Sequence, residues 1–166
     1  MSEYGEDLYP RQGWGQALQA LFDDRVVVVN EAASGRSAKS FIDEGRLDRI
    51  LDRIRTGDYL FIQFGHNDQK PDEERHTEPF STYLSYLARY IDGARLKGAI
   101  PVLFTPVQRR SFDEEGAFAD TNGDYPKAVR TLSASKNVPL IDLARTTKAL
   151  LGGDRTGGRE KMVPVA

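Results

Sequence analysis

The chain has 166 residues, 39% of them hydrophobic and 29% charged, a balance suited to one globular domain of ordinary size. Lys and Arg number 23 against 25 Asp and Glu, and a net charge of −2 excludes the basic footprint of a nucleic-acid or polybasic membrane binder. The absence of cysteine excludes disulfides, thiolate metal sites and a cysteine nucleophile. The two histidines, His66 and His76, have no carboxylate cluster that would complete a metal site.

In chain order, Met1 to Gln12 is polar, with Gly5 and Pro10, and reads as a loop. It has no apolar core of a signal peptide, so the chain as written reads as cytoplasmic, with secretion open if its true start lies upstream. No apolar run approaches the roughly 20 residues that cross a bilayer. Gly13-Trp14-Gly15 opens a short helix through Phe22, with Leu18, Leu21 and Phe22 on one face. Val26 to Val29 is a β-branched run and predicts a buried strand. Residues 30–37 are small and polar, a loop. Leu47, Ile50, Leu51 and Ile54 then recur at helical spacing, with Arg46, Asp48, Arg49, Asp52 and Arg53 on the wet side.

Thr56-Gly57-Asp58 is a turn signal, and Tyr59 to Phe64 has the length and composition of a buried strand. That strand stops at Gly65 and delivers His66, Asn67 and Asp68 to the carboxyl edge of a sheet, where open α/β sheets hold their ligands. A polar turn with no further role accounts for the same four residues equally well. A charged loop with Pro71 leads to a long helix, from about Pro79 to Lys97, with Tyr83, Leu87, Tyr90, Ile91 and Ala94 inward. Ile100 to Phe104 is a strand, and Thr105 to Gly123 a long polar loop. Asp124-Tyr125-Pro126 reads as a helix start with a capping acid, and Ala128, Val129 and Leu132 point to the core. Val138 to Asp142 is the last strand, followed by a helix to Leu151 that Gly152-Gly153 stops. Strands that alternate with helices predict one α/β domain over residues 1–166, built on a parallel sheet covered on both faces.

Three stretches, Gly13-Trp-Gly-Gln16, Ala33-Ser-Gly-Arg-Ser37 and Gln63-Phe-Gly-His-Asn-Asp68, resemble the SGNH (GDSL-type) hydrolases in order and spacing. Within that family they are most similar to the rhamnogalacturonan acetylesterase group of carbohydrate esterases. The resemblance implies a flavodoxin-like three-layer α/β/α fold and acyl transfer by a serine, with a histidine base and an orienting aspartate. It places oxyanion-hole donors at the Gly35 N–H and the Asn67 side-chain amide. It sets His66 apart from the base, as a residue that shapes the pocket or fixes the loop by hydrogen bonding, and offers Arg36 as a contact for an acidic sugar; a solvated or loop-bracing Arg36 is equally open. Ser34 and Ser37 lie nearby but do not match the nucleophile position, and His76 is expected to be exposed.

The family's Gly-Asp-Ser and Asp-x-x-His blocks have no counterpart between Met1 and Ala166. This reading therefore makes the chain a partial domain, without the first strand and the C-terminal helix, and without esterase activity above background. It implies an acetylated polysaccharide or oligosaccharide as partner and no cofactor, nucleic acid or membrane; oligomeric state is left open. Two other readings stand beside it. One is a non-catalytic carbohydrate-binding relative, favoured by the missing triad. The other is a nucleotide-binding domain, disfavoured because no strand is followed by a Gly-x-Gly-x-x-Gly or Walker-type loop.

Overall fold

Among the described residues three short strands carry the fold, and they run the same way. A computed structural model describes residues 13–152. In it, β1 (Tyr59–Ile62), β2 (Ile100–Phe104) and β3 (Leu140–Ile141) form a parallel sheet in the order β1-β2-β3. Tyr59 stands opposite Ile100 and Ile62 opposite Leu103, while Leu103 and Phe104 meet Leu140 and Ile141. Parallel strands need a crossover between them. Here α4 (Thr82–Leu96) links β1 to β2, and α5 (Tyr125–Lys136) links β2 to β3. The α/β architecture with a parallel sheet is the one expected from the alternation of elements.

The core lies between one sheet face and a layer of helices. Leu60 and Ile62 of β1, Leu103 of β2 and Leu140 of β3 meet Tyr83, Leu87, Tyr90 and Ile91 of α4 and Ala128, Val129 and Leu132 of α5. The inward residues of both long helices are those that helical spacing picked out. Two short helices extend the layer: α2 (Ala38–Asp43), contributing Phe41 and Ile42, and α3 (Arg46–Leu51), contributing Leu47. On the opposite sheet face Phe104 meets Phe61 and Trp14, at ring-centroid separations of 5.0 and 5.1 Å. Trp14 belongs to α1 (Trp14–Ala17), which tightens into a 3-10 turn over Leu18–Leu21. The final helix, α6, covers Leu143–Gly152.

Several expectations are corrected. Val26 to Val29 forms no strand, and Val27 and Val29 are 80% and 67% exposed. β-branched residues favour a strand only where a neighbour completes the ladder, and no described residue offers one. Instead the Gln19 carboxamide brackets the segment, its Nε2 donating to Val26 O at 2.9 Å and its Oε1 accepting from Val28 N at 2.7 Å. Leu21 and Phe22, expected on a core face, are exposed, because the helix that carries them ends after two short turns. Helix α2 lies where no helix was expected; its Ser37 and Ser40 form a reciprocal capping box. Asp124 sits at the N-cap of α5 as expected, but its side chain makes no cap bond. The long loop after β2 contains a small hairpin closed by an antiparallel bridge between Phe112 and Phe118. The expectations for Met1–Gln12 and for the tail beyond Gly152 lie outside the described residues.

Candidate functional site

A parallel sheet puts the carboxyl ends of its strands on one edge, and the polar residues just beyond those ends meet there. Beyond β1, Gln63 accepts from the indole Nε1 of Trp14 at 2.9 Å and donates to Thr105 O, beyond β2, at 3.1 Å. The Thr105 hydroxyl donates to Asp142, beyond β3, at 2.9 Å. The Asp142 carboxylate also accepts both donors of an Arg130 fork, which holds its pKa below the usual carboxylate range despite partial burial. A continuous line of polar contacts thus ties the first motif, Gly13-Trp-Gly-Gln16, to all three strand ends.

The second motif meets the third, which already supplies Gln63 to this line. Gly35 takes a φ of +78°, a conformation open to glycine and strained for a residue with a Cβ, and a Cβ there would meet no atom within 4 Å. The space in front of its backbone is open. Asn67 approaches from the other turn, and its Nδ2 donates to Arg36 O at 3.1 Å. A carboxamide nitrogen carries two hydrogens, so this bond fixes the group while a second N–H remains to be aimed. The residues expected to donate to an oxyanion, 32 positions apart in the chain, are therefore in adjacent turns.

Arg36 contributes its backbone to this contact and sends its side chain elsewhere. The guanidinium pairs with Glu44 at 2.9 Å and donates to Ser34 O at 2.9 Å, the loop-bracing arrangement. His66 is partly buried with its Nε2 2.8 Å from Val107 O. A carbonyl only accepts, so Nε2 carries the proton. Burial lowers the ring's pKa, the bond to Val107 O opposes this, and the nearby Arg109 charge lowers it further, so the ring is neutral. The Arg109 guanidinium donates to His66 O at 3.3 Å. His66 thus ties the loop after β2 to the turn after β1. His76 is exposed and bridges Lys70 O and Glu78. Neither histidine bonds a serine hydroxyl among the described residues, and no group of three His, Cys, Asp or Glu there is arranged to hold a metal.

Residue-by-residue inspection of the sequence missed the centre of the arrangement. Asp68 is fully buried and receives the backbone N–H of Ala38 at 3.0 Å and of Gly65 at 2.9 Å, and the Thr77 hydroxyl at 3.1 Å. Burial pushes its pKa up from 3.8 to about 6, against the three donors that favour the charged form. The single hydroxyl proton of Tyr125 on α5 is shared between Asp68 O, at 2.8 Å, and Thr77 O. Asp68 lies in the third motif, but Thr77 and Tyr125 carry no local signal of this role. Only the fold brings them in.

Comparison with known proteins bears on the family and the fold. The model of the GDSL-like Lipase/Acylhydrolase family matches residues 2–160. Rhamnogalacturonan acetylesterase RhgT of Bacillus subtilis is 51% identical over 141 residues, 85% of this chain and 60% of that protein. The probable rhamnogalacturonan acetylesterase YesY of the same organism is 49% identical, over 82% of this chain and 63% of its own length. The crystal structure of protein YxiM from B. subtilis superposes with a TM-score of 0.77 at 31% identity, covering 87% of this chain and 42% of that one. The chain thus spans about three-fifths of the first two relatives. The motifs, the parallel sheet and these matches agree: the chain belongs to the GDSL-like lipase/acylhydrolase family, the SGNH hydrolases.

Proposed function

We propose that this chain supplies the oxyanion-binding side of a carbohydrate acetylesterase that acts on a pectin-type polysaccharide such as rhamnogalacturonan. The observation that carries the reading is the contact of the Asn67 amide with Arg36 O at 3.1 Å, which sets Asn67 beside the Gly35 turn. In ester hydrolysis a nucleophile adds to the acetyl carbon and the carbonyl oxygen takes up the negative charge. In this reading the Gly35 N–H and the second Asn67 N–H are the neutral donors that meet that charge, and they stabilise it without bringing a charge of their own. The substrate class is supported by the names of the two acetylesterase relatives.

Acetate release from acetylated rhamnogalacturonan by the enzyme that carries these residues tests the assignment. Asn67→Ala is expected to lower kcat by about 100-fold or more with KM nearly unchanged, the pattern of a group that acts in the transition state. Unchanged turnover would remove Asn67 from the reaction. One observation favours a second reading, a relative that binds the polysaccharide without hydrolysing it: neither His66 nor His76 bonds a serine among the described residues. Retention of acetylated polysaccharide by the purified 166-residue chain, with no acetate released, would support that reading.

A further inference from the structure

Asp68 is the only buried carboxylate among the described residues, where no histidine, lysine or arginine is buried, and it lies between the two candidate donor turns. Its Oδ1 takes the N–H of Ala38, the residue that follows the Gly35–Ser37 turn, and the Thr77 hydroxyl. Its Oδ2 takes the N–H of Gly65, two residues before Asn67. Both oxygens accept from backbone amides, which a carboxylate can do and a carboxamide cannot, because one end of a carboxamide is itself a donor.

We propose that Asp68 is the positioning residue of the oxyanion hole, its ionised carboxylate clamping the Gly35 turn to the Asn67 turn and so setting the distance between their donors. The inference rests on the reading of Gly35 and Asn67 given above. It also explains why a charge is kept where burial disfavours it. Protonation turns one oxygen into a donor. The Thr77 hydroxyl can rotate to accept that proton, but the grip on one backbone amide weakens.

The groups that face Asp68 do not compete for its charge. Tyr83 and Tyr90 of α4 and Tyr125 of α5 are phenols whose pKa values burial raises. On its own turn His66 is neutral and bonded to Val107 O. His76 and Glu78, which flank Thr77, pair with each other at the surface. From α2, Lys39 reaches out to Glu73 O.

The test is a pH titration of the folded 166-residue chain by NMR, which needs no turnover and so separates this proposal from the oxyanion reading that Asn67→Ala addresses. The Asp68 carboxyl carbon, the Ala38 and Gly65 amides, and the Gly35 amide and Asn67 side-chain amide are expected to move with one shared midpoint. His66 is the other titratable side chain on this turn, and two variants distinguish Asp68 from it. Asp68→Asn should abolish the shared transition. Thr77→Val, which keeps the carboxylate and removes one bond to its charged form, should shift the midpoint upward. In the esterase, Asp68→Asn should lower kcat by about 100-fold, the effect of a misplaced donor, with KM unchanged. Gly35 and Asn67 signals that do not follow Asp68, or a midpoint that Thr77→Val leaves in place, would overturn the proposal.

Discussion

At the scale of single residues, Asp68 trades stability for geometry. Its pKa is higher in the folded chain, about 6, than the 3.8 of an unperturbed carboxyl, so the folded state binds the proton more tightly than the unfolded one. Between these two values stability rises as pH falls, the reverse of the usual behaviour of a paired carboxylate. The shift corresponds to about 3 kcal/mol subtracted at neutral pH relative to the protonated state. Urea unfolding at pH 7 and pH 5 should show wild type gaining about 1 kcal/mol on the Asp68→Asn variant as pH falls. A constant difference would mean that the carboxyl titrates alike in the folded and unfolded chains. Sequence reading placed Asp68 in the right motif but gave it no role. Its partners Ala38 and Thr77 lie 30 and 9 positions away, and a pattern cannot register a burial that those distances create.

At the scale of elements, sequence reading succeeded where periodicity was long and burial one-sided. Helices α4 and α5 appear with their inward residues as expected, because five and three apolar positions at helical spacing admit one buried face. Val26 to Val29 misled, because four valines record a preference for strand but not whether a partner exists. The capping box of α2 has Ser40 where the usual sequence signature has Glu or Gln, and a six-residue helix has little periodicity to reveal it. Gly35 and Asn67 entered through a resemblance, and the fold then placed their turns together. The turn after β1 also has a conformational requirement that an added methyl would expose. Gly65 has a φ of +131°, and a Cβ there would lie 3.0 Å from Cγ of Pro106. Gly65→Ala should therefore destabilise the chain by about 1–3 kcal/mol, read as a lower Tm. An unchanged Tm would show that the two turns after β1 and β2 can separate freely.

At the scale of the whole molecule, the sheet formed by the described residues has two edges, β1 and β3. Among the described residues β1 pairs with β2 alone, so its outer backbone groups have no strand beside them, and Tyr59 on that strand is 64% exposed. Val27 and Val29 add exposed apolar surface from a segment with the composition of a strand. Open edges of this kind promote association, and natural sheets blunt them with charge. Light scattering should find the purified chain associating as its concentration rises, and Val27→Lys should reduce this while changing unfolding free energy by less than about 0.5 kcal/mol. Association that is indifferent to Val27→Lys would place the contact elsewhere. The polar line from Trp14 through Gln63 and Thr105 to Asp142 lies along the strand ends and links the three described strands there.

The carboxamide of Gln19 offers a further lesson about such surfaces. An amide side chain and a peptide group are the same functional group, and Gln19 presents its oxygen and nitrogen to Val28 N and Val26 O as one rung of a neighbouring backbone would. It is a one-residue impostor of a strand. Any extended peptide seeking that side of the segment must first evict it, giving up two formed bonds before making its own. A single glutamine thereby turns an inviting template into a contested one, and lets the chain leave a valine run in water with part of its backbone already spoken for.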